Sequence, residues 1–238
     1  MTDKEYLKKY LEPSKLDEGF KMLEEGEPLQ YIIGNVNFCG NTIKVNSHVL
    51  IPRFETELLV DKTVNYIKTY FNMPVKIIDL GTGSGAIAIT LKKKLESTVE
   101  AIDISGEALK VARENALLNN VSINFYESDM LDNVTGKYDV IISNPPYVAY
   151  DEEIDDVVRN NEPAIALFAE NNGLEFYEKI LSKAKNNINA KALIALEIGR
   201  SQGKAVEQIA RNYFPNAEIR VEKDFPGEDR FVFVFVDD

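Results

Sequence analysis

From residue 75 onward the sequence alternates short apolar segments with longer amphipathic ones, and this alternation constrains the fold more than any other feature. The short segments are rich in β-branched residues and are predicted to be strands at residues 75–80, 99–104, 123–127, 138–143 and 192–198. Amphipathic segments separate most of them and are predicted to be helices at residues 84–95, 106–119, 173–187 and 202–213. Alternation of this kind predicts an α/β fold, in which helices cover both faces of a mostly parallel sheet.

Further elements are predicted on both sides of the alternating region. Two strands, at residues 216–222 and 230–236, follow the last helix and bring the predicted sheet to seven strands. Before the first strand, residues 56–71 carry an apolar stripe at helical spacing, which predicts a helix that packs on the core.

The first 50 residues are predicted to form a small region of their own. Residues 1–26 have apolar side chains at helical spacing, and residues 29–45 are predicted to form a β-hairpin with a tight turn at Gly40 and Asn41. We therefore predict three parts: a short helical segment over residues 1–27, a β-hairpin linker over residues 28–50, and the main domain over residues 51–238.

The composition is that of a soluble globular protein, with 45% hydrophobic and 28% charged residues. No apolar stretch approaches the roughly 20 residues needed to span a bilayer, and the charged N-terminal residues do not form a signal peptide. Together with a single cysteine, these features predict a cytoplasmic protein that does not bind membranes. One cysteine and one histidine do not make a zinc site, so no metal is expected. The net charge of −12 argues against direct nucleic-acid binding and favours a small molecule or a basic protein as partner.

Candidate ligand-binding residues follow the predicted strands, one strand after another. Ligands of open α/β sheets bind at the carboxyl ends of the strands. The first strand runs into a glycine-rich loop over residues 79–86, in which Gly81, Gly83 and Ala86 also fit a dinucleotide fingerprint. Glycines permit a sharp turn and a close approach to a ligand, but a tight strand-to-helix turn without any ligand has the same composition. The loop alone therefore indicates no particular cofactor.

Acidic residues at the next two strand ends point to a nucleoside. Asp103 ends the second strand, where a carboxylate accepts the hydroxyl groups of a ribose. Asp129 and Met130 follow the third strand, where they are expected near an adenine. Taken singly, Asp103 could also serve only to cap a helix, and Asp129 could be an ordinary turn residue. An NAD enzyme needs hydride-transfer groups, yet the only histidine, His48, is expected away from the crevice in a structural role. S-adenosylmethionine fits this set better than NAD.

The fourth predicted strand ends in a tetrad formed by Asn144, Pro145, Pro146 and Tyr147. An amide or aromatic NH₂ group is a poor nucleophile, because its lone pair is delocalised into the neighbouring π system. A site that methylates such a group has to accept both N–H bonds and draw the lone pair out of the plane. An asparagine oxygen and a carbonyl held by proline can do this, while an aromatic ring covers the flat face. A strand followed by a Pro-Pro turn is the simpler reading of the same residues.

With the glycine loop, both acidic strand ends and the tetrad in place, the chain resembles the class I S-adenosylmethionine-dependent methyltransferases. More narrowly, it resembles the release factor glutamine methyltransferases, the HemK/PrmC family. Further segments follow the order and spacing of that family over about residue 28 to the C-terminus: Pro28, residues 29–34, Phe38, Gly40, residues 49–53, residues 55–57, Glu162, Pro163, Gly173, Leu174, residues 197–199, Gln202, Gly203, Lys223, Asp224, Asp229 and Arg230.

The resemblance implies a fold, a reaction and a site. The fold is a Rossmann-like, mostly parallel seven-stranded sheet with helices on both faces, and residues 51–238 form the methyltransferase domain. The reaction is methylation of N5 of the glutamine in the Gly-Gly-Gln motif of class 1 peptide chain release factors, which tunes translation termination. The cofactor, S-adenosylmethionine, is implied to bind at Gly81, Thr82, Gly83, Ser84, Gly85, Asp103, Asp129, Met130 and Asn144.

The tetrad is implied to bind the substrate amide and to be catalytic through Asn144, Pro145 and Tyr147, with Pro146 as a further substrate contact. Asn144 is expected to act through its side chain, Pro145 through its carbonyl and Tyr147 by stacking. Two other readings stay open. Adenine presents a similar NH₂ group, and adenine-N6 methyltransferases of nucleic acids share the Asn-Pro-Pro-aromatic pattern. The second open reading is a non-catalytic binding module that has the fold of a cofactor-binding enzyme.

Overall fold

The structure is a computed structural model that describes residues 2–237. Its helices are α1 (Asp3–Tyr10), α2 (Leu16–Glu24), α3 (Leu29–Ile33), α4 (Phe54–Tyr70), α5 (Ala86–Lys94), α6 (Gly106–Leu118), α7 (Asp156–Asn161), α8 (Ala164–Leu167), α9 (Glu170–Gly173), α10 (Glu175–Ala184) and α11 (Gly203–Tyr213). Its strands are β1 (Asn35–Phe38), β2 (Asn41–Lys44), β3 (Lys76–Leu80), β4 (Thr98–Asp103), β5 (Asn124–Glu127), β6 (Tyr138–Ser143), β7 (Val148–Ala149), β8 (Phe168–Ala169), β9 (Ile188–Glu197), β10 (Glu218–Lys223) and β11 (Asp229–Asp237).

Within residues 2–237 the main sheet has seven strands in the order β10-β11-β9-β6-β3-β4-β5. The neighbours from β9 to β5 are parallel, whereas β11 runs antiparallel between β9 and β10. This confirms the predicted mostly parallel sheet. Leu80 pairs with both Ile102 and Ser143. The carboxyl ends of β3, β4 and β6 therefore meet at one edge of the sheet.

Helices cover both faces of the sheet, as predicted. Side chains of adjacent strand residues point to opposite faces, so Ile77 lies in one apolar cluster and Ile78 in the other. The first cluster is closed by α4, α5 and α6, and the second by α10 and α11. Because the central strands are buried on both sides, they are almost continuously apolar rather than alternating.

Several predicted boundaries differ from those of the structure. Helix α5 begins at Ala86 because Gly85 has a left-handed backbone that cannot continue into the helix. Strand β9 begins at Ile188, four residues before its predicted start, because Ile188 already pairs with Tyr138. The predicted domain bounds at residues 1 and 238 lie outside the described residues.

The N-terminal part contains the predicted helices and hairpin, but residues 29–34 do not belong to the hairpin. They form α3, because the Pro28 carbonyl accepts the N–H groups of Tyr31 and Ile32 and Gly34 ends the helix with φ of 81°. Strands β1 and β2 do form the hairpin, but its turn residues are Cys39 and Gly40, both with positive φ, and not the predicted Gly40 and Asn41. Asn41 already pairs with Phe38 and so belongs to β2. No helix within residues 2–237 combines the length and the apolar character needed to cross a bilayer.

Candidate active site

An open crevice lies at the carboxyl edge of the sheet, where the predicted ligand-binding residues converge. Most of the predicted site residues line it: Gly81, Thr82, Gly83, Ser84, Asp103, Asp129, Met130, Asn144 and Pro146. Three predicted site residues are not part of this lining: Gly85, Pro145 and Tyr147.

The glycine loop connects β3 to α5 and is tied to the end of β4. The backbone N–H of Thr82 donates to the carbonyl of Ile102 at 2.8 Å. Gly85 caps α5 with φ of 82°, and a Cβ atom there would lie 3.2 Å from the Cβ of Ala112. The structure thus gives Gly85 a packing role, since it lets α5 approach α6 closely.

Asp103 is held by backbone donors on both sides. One carboxylate oxygen accepts the N–H of Gly83 at 2.8 Å and the other accepts the N–H of Ser105 at 2.9 Å. Burial raises the pKa of Asp103, and these two hydrogen bonds act in the opposite direction. The hydroxyl of Ser105, not Asp103, caps α6 by accepting the N–H of Ala108. Helix capping is therefore not the task of Asp103, which keeps lone pairs for a ligand.

The turn after β5 brings Asp129 and Met130 to the crevice. The Ser128 hydroxyl shapes this turn by donating to the Met130 carbonyl at 2.8 Å, and Met130 has φ of 46°. The Asp129 carboxylate forms an ion pair with Lys179 of α10, which also lines the crevice. Sequence reasoning missed Lys179, because a lysine on an amphipathic helix carries no signal of its own.

The side-chain amide of Asn144 is held from one side only. Its Nδ2 donates to the Thr56 hydroxyl at 3.0 Å, and that hydroxyl donates to the Glu197 carboxylate at 2.7 Å. Within residues 2–237 the Oδ1 of Asn144 has no hydrogen-bond partner. Glu197 is fully buried, and burial raises its pKa to about 7. Asn144 lines the crevice, and its Oδ1 is still able to accept a hydrogen bond.

The end of the tetrad is clamped by Gln202. Its Nε2 donates to the Tyr147 carbonyl at 3.0 Å, while its Oε1 accepts the Gly199 N–H at 2.8 Å and the Tyr177 hydroxyl at 3.2 Å. The Tyr147 ring packs against the apolar cluster under α10 and α11, and burial raises the pKa of its phenol. Pro145 is buried, and its carbonyl accepts no hydrogen bond from residues 2–237.

A partly buried ion pair fixes the chain just before Thr56. The Arg53 guanidinium pairs with Glu162, whose other carboxylate oxygen accepts the Ile51 N–H at 3.0 Å. Glu162 precedes Pro163, which borders the crevice. The pair thus joins two walls of the crevice that are distant in sequence.

The expectation that His48 lies away from the crevice is wrong, because the structure places it in the lining. The cause is the way the hairpin packs. The side chain of Asn115 bonds both the N–H and the carbonyl of Lys44, at 2.7 and 2.9 Å, and also the carbonyl of Ser84. The end of β2 is thereby tied to the glycine loop, and the segment that follows crosses the mouth of the crevice.

Thr56 and Glu197 lie in segments that follow the family's order and spacing, but neither was predicted to be a site residue. Glu197 ends β9, so the rule that identified Asp103 applies to it as well. Thr56 lies in the first turn of α4, and nothing in the sequence indicates that this turn reaches the sheet edge.

Comparisons with known proteins place the chain among methyltransferases. Residues 37–163 match the family model of the methyltransferase small domain. A release factor glutamine methyltransferase of Lactococcus lactis subsp. lactis (strain IL1403) is 45% identical over 222 residues, which cover 92% of this chain and 81% of the relative. One of Bacillus subtilis (strain 168) is 39% identical, with 91% of this chain and 78% of the relative covered.

Solved structures share the fold at low sequence identity. A methyltransferase from Pyrococcus furiosus has a TM-score of 0.62 at 20% identity, over 83% of this chain and 89% of that one. The Thermus thermophilus 16S rRNA N2 G1207 methyltransferase, solved in complex with AdoMet and guanosine, has a TM-score of 0.60 at 14% identity, over 85% of this chain and 49% of that one.

The sheet order, the glycine loop and the matched family model define a methyltransferase with the class I fold. The identity to curated relatives extends over most of both chains. This chain belongs to the release factor glutamine methyltransferase family.

Proposed function

We propose that this protein transfers a methyl group from S-adenosylmethionine to N5 of the glutamine in the Gly-Gly-Gln motif of class 1 peptide chain release factors. The observation that carries the proposal is the hydrogen bonding of the Asn144 side-chain amide. Its Nδ2 is bonded to Thr56, and its Oδ1, which has no partner in residues 2–237, belongs to a residue of the crevice wall. An oxygen in that state suits the planar NH₂ group of a glutamine side chain.

The residues of the crevice fit S-adenosylmethionine, which supplies a methyl group bonded to a positively charged sulfur. Asp103 has lone pairs beyond those used by Gly83 and Ser105, and ribose hydroxyls are donors that match them. Met130 and Ile104 offer apolar surface for an adenine. The glycine loop leaves room beside its backbone because its glycines carry no Cβ atoms.

The tetrad would prepare the amide nitrogen for attack. Asn144 Oδ1 accepts one N–H bond of the substrate amide and the Pro145 carbonyl accepts the other, which draws the lone pair out of conjugation. Both oxygens also stabilise the positive charge that develops on nitrogen. The methyl–sulfur bond breaks as the nitrogen–methyl bond forms, so S-adenosylhomocysteine leaves and the methylated nitrogen releases one proton. Alignment supplies the other main contribution, because the clamp of Gln202 on Tyr147 holds the tetrad in one position. Pro146, which lines the crevice, would cover one face of the amide. The Tyr147 ring packs against the apolar cluster under α10 and α11 and would act by holding the tetrad in place.

The proposed partner is a protein rather than a nucleic acid. A net charge of −12 disfavours contact with a phosphate backbone, and the relatives named above carry the name of a protein-modifying enzyme. Release factors act in translation, so the proposal places the reaction in the cytoplasm.

Transfer of a labelled methyl group tests the proposal. The protein is incubated with labelled S-adenosylmethionine and, in parallel, with a class 1 release factor, the same factor carrying Gln→Ala in its Gly-Gly-Gln motif, and DNA or RNA. We expect label on the first acceptor only. Label on adenine of the nucleic acid, or equal label on both release factors, would contradict the proposal.

A further inference from the structure

We propose that Thr56 and Glu197 are positioning residues that hold the amide of Asn144 with its oxygen turned toward the substrate. This inference rests on the proposed function and adds a specific device to it. It starts from the hydrogen-bonded row that runs from Asn144 through Thr56 to Glu197.

The fold places this row by strand register. Ser143 of β6 pairs with Leu196 of β9 in parallel. Asn144, the first residue after β6, and Glu197, the last residue of β9, therefore lie side by side. Thr56, in the first turn of α4, lies over this edge and joins them. Thr56 and Glu197 are both buried.

The chemistry of the row sets the orientation of the amide. An ionised carboxylate only accepts hydrogen bonds, so the single hydroxyl hydrogen of Thr56 is committed to Glu197. The Thr56 oxygen then offers only lone pairs to its other neighbour. Asn144 has to meet them with its NH₂ group, and its oxygen is left for the substrate. A flipped amide would place two acceptors against each other.

Protonation of Glu197 removes this constraint. A protonated carboxyl group can donate to the Thr56 oxygen, and the hydroxyl hydrogen of Thr56 is then free to turn to Asn144 Oδ1. The row can reverse, and the asparagine can present its NH₂ group to a substrate that needs an acceptor. Activity therefore depends on the ionised form of Glu197.

Several charged and titratable groups around Glu197 affect its pKa. Burial is the main cause that raises its pKa to about 7, and Glu55 adds to it, while the Thr56 hydrogen bond and the charges of Arg230 and Arg53 act against it. Two phenols, of Tyr147 and Tyr177, also face it, and burial raises the pKa of both. Glu197 is thus the group of this cluster that changes charge near neutral pH.

Substitutions at Thr56 test the positioning role. Thr56→Val keeps the shape but removes the hydroxyl, and we expect kcat to fall by about 10- to 100-fold while the Kd of S-adenosylmethionine stays within about threefold. Thr56→Ser keeps the hydroxyl and should retain kcat within about threefold. The matched control is Thr63→Val, a buried threonine of the same helix whose hydroxyl only bonds the Leu59 carbonyl. It should leave kcat unchanged.

The pH profile of kcat tests the role of Glu197. Wild-type kcat, with both substrates saturating, should fall as the pH drops through about 7. Glu197→Gln can both donate to and accept from Thr56, so it enforces neither orientation. This variant should have a reduced kcat that no longer shows this acid limb. The profile also decides the matter if Thr56→Val fails to fold.

The outcomes separate the two proposals. If the wild-type protein binds S-adenosylmethionine but transfers no methyl group to release factor glutamine, the proposed function fails. If the wild type transfers and Thr56→Val does so at the same rate, only the positioning role is overturned. Equal losses in Thr56→Ser and Thr56→Val, or an unchanged acid limb in Glu197→Gln, would also overturn it.

Discussion

Replacing Gly173 by alanine should damage the active site without touching any residue that lines the crevice. Gly173 has φ of 79°, and a Cβ atom there would lie 2.1 Å from the carbonyl oxygen of Tyr147 and 2.5 Å from Nε2 of Gln202. These two atoms form the hydrogen bond that clamps the tetrad. The glycine is therefore required both by its backbone conformation and by the space it leaves.

The size of the effect follows from these distances. The left-handed backbone costs about 1–2 kcal/mol for a residue with a Cβ atom, and overpacking adds about 1–3 kcal/mol. Relief of the clash has to move the Tyr147 carbonyl or the Gly173 turn by about 1 Å, a displacement that can lower kcat by about 100-fold. Gly173→Ala should thus lose about 2–5 kcal/mol of unfolding free energy and most of its turnover.

Gly34→Ala is a matched control, because Gly34 has φ of 81° but no heavy atom within 4 Å of the added Cβ position. It should lose only the backbone contribution of about 1–2 kcal/mol and keep wild-type kcat. Urea unfolding measures the two stabilities, and methyl transfer to a release factor at saturating substrates measures the two kcat values. Equal kcat in the two variants would refute the reasoning.

Three further predictions concern single side chains. Asn144→Ala should lower kcat by about 10²- to 10³-fold, since it removes an acceptor that acts in the transition state. The Kd of S-adenosylmethionine, measured by calorimetry, should stay nearly unchanged. Equal losses in kcat and in cofactor affinity would contradict the role of Asn144. Asp103→Asn should weaken S-adenosylmethionine binding by about tenfold in the same calorimetric experiment, because hydrogen bonds to a charged acceptor are about twice as strong as neutral ones. Unchanged affinity would exclude Asp103 from the cofactor site. Asp79 is fully buried with one oxygen unpaired within residues 2–237, and burial raises its pKa to about 7. As the pH rises, Asp79 loses its proton in the unfolded chain before it does so in the folded protein. The unfolding free energy of the wild type therefore falls between about pH 4 and pH 7. Over that range, the unfolding free energy of Asp79→Asn, measured with urea, should gain up to about 4 kcal/mol relative to the wild type. A pH-independent difference would show that the folded pKa of Asp79 is ordinary.

Much of the sheet could be predicted from the sequence, because buried parallel strands are apolar, β-branched and separated by amphipathic helices. Residues 29–34 were harder. Their apolar residues suit a strand as well as a short helix, and the outcome is decided by the Pro28 carbonyl and the left-handed Gly34 at the two ends.

Some residues of the site could likewise be predicted from the sequence, and others could not. Asp103 and Asn144 could be found because parallel strands end at one edge, so residues after different strands converge. Thr56, Lys179 and His48 reach that edge from helices or from the segment after the hairpin. Their positions depend on how these elements pack on the sheet, which no local pattern encodes.

The position of the transferred methyl group tests the central claim most directly. After incubation with S-adenosylmethionine and a class 1 release factor, tandem mass spectrometry of the peptide that contains Gly-Gly-Gln assigns the added mass to one residue. We predict a methyl group on the side-chain nitrogen of that glutamine in the wild-type reaction, and a strongly reduced amount with Asn144→Ala. A methyl group on any other residue, or an equal amount with Asn144→Ala, would contradict the account.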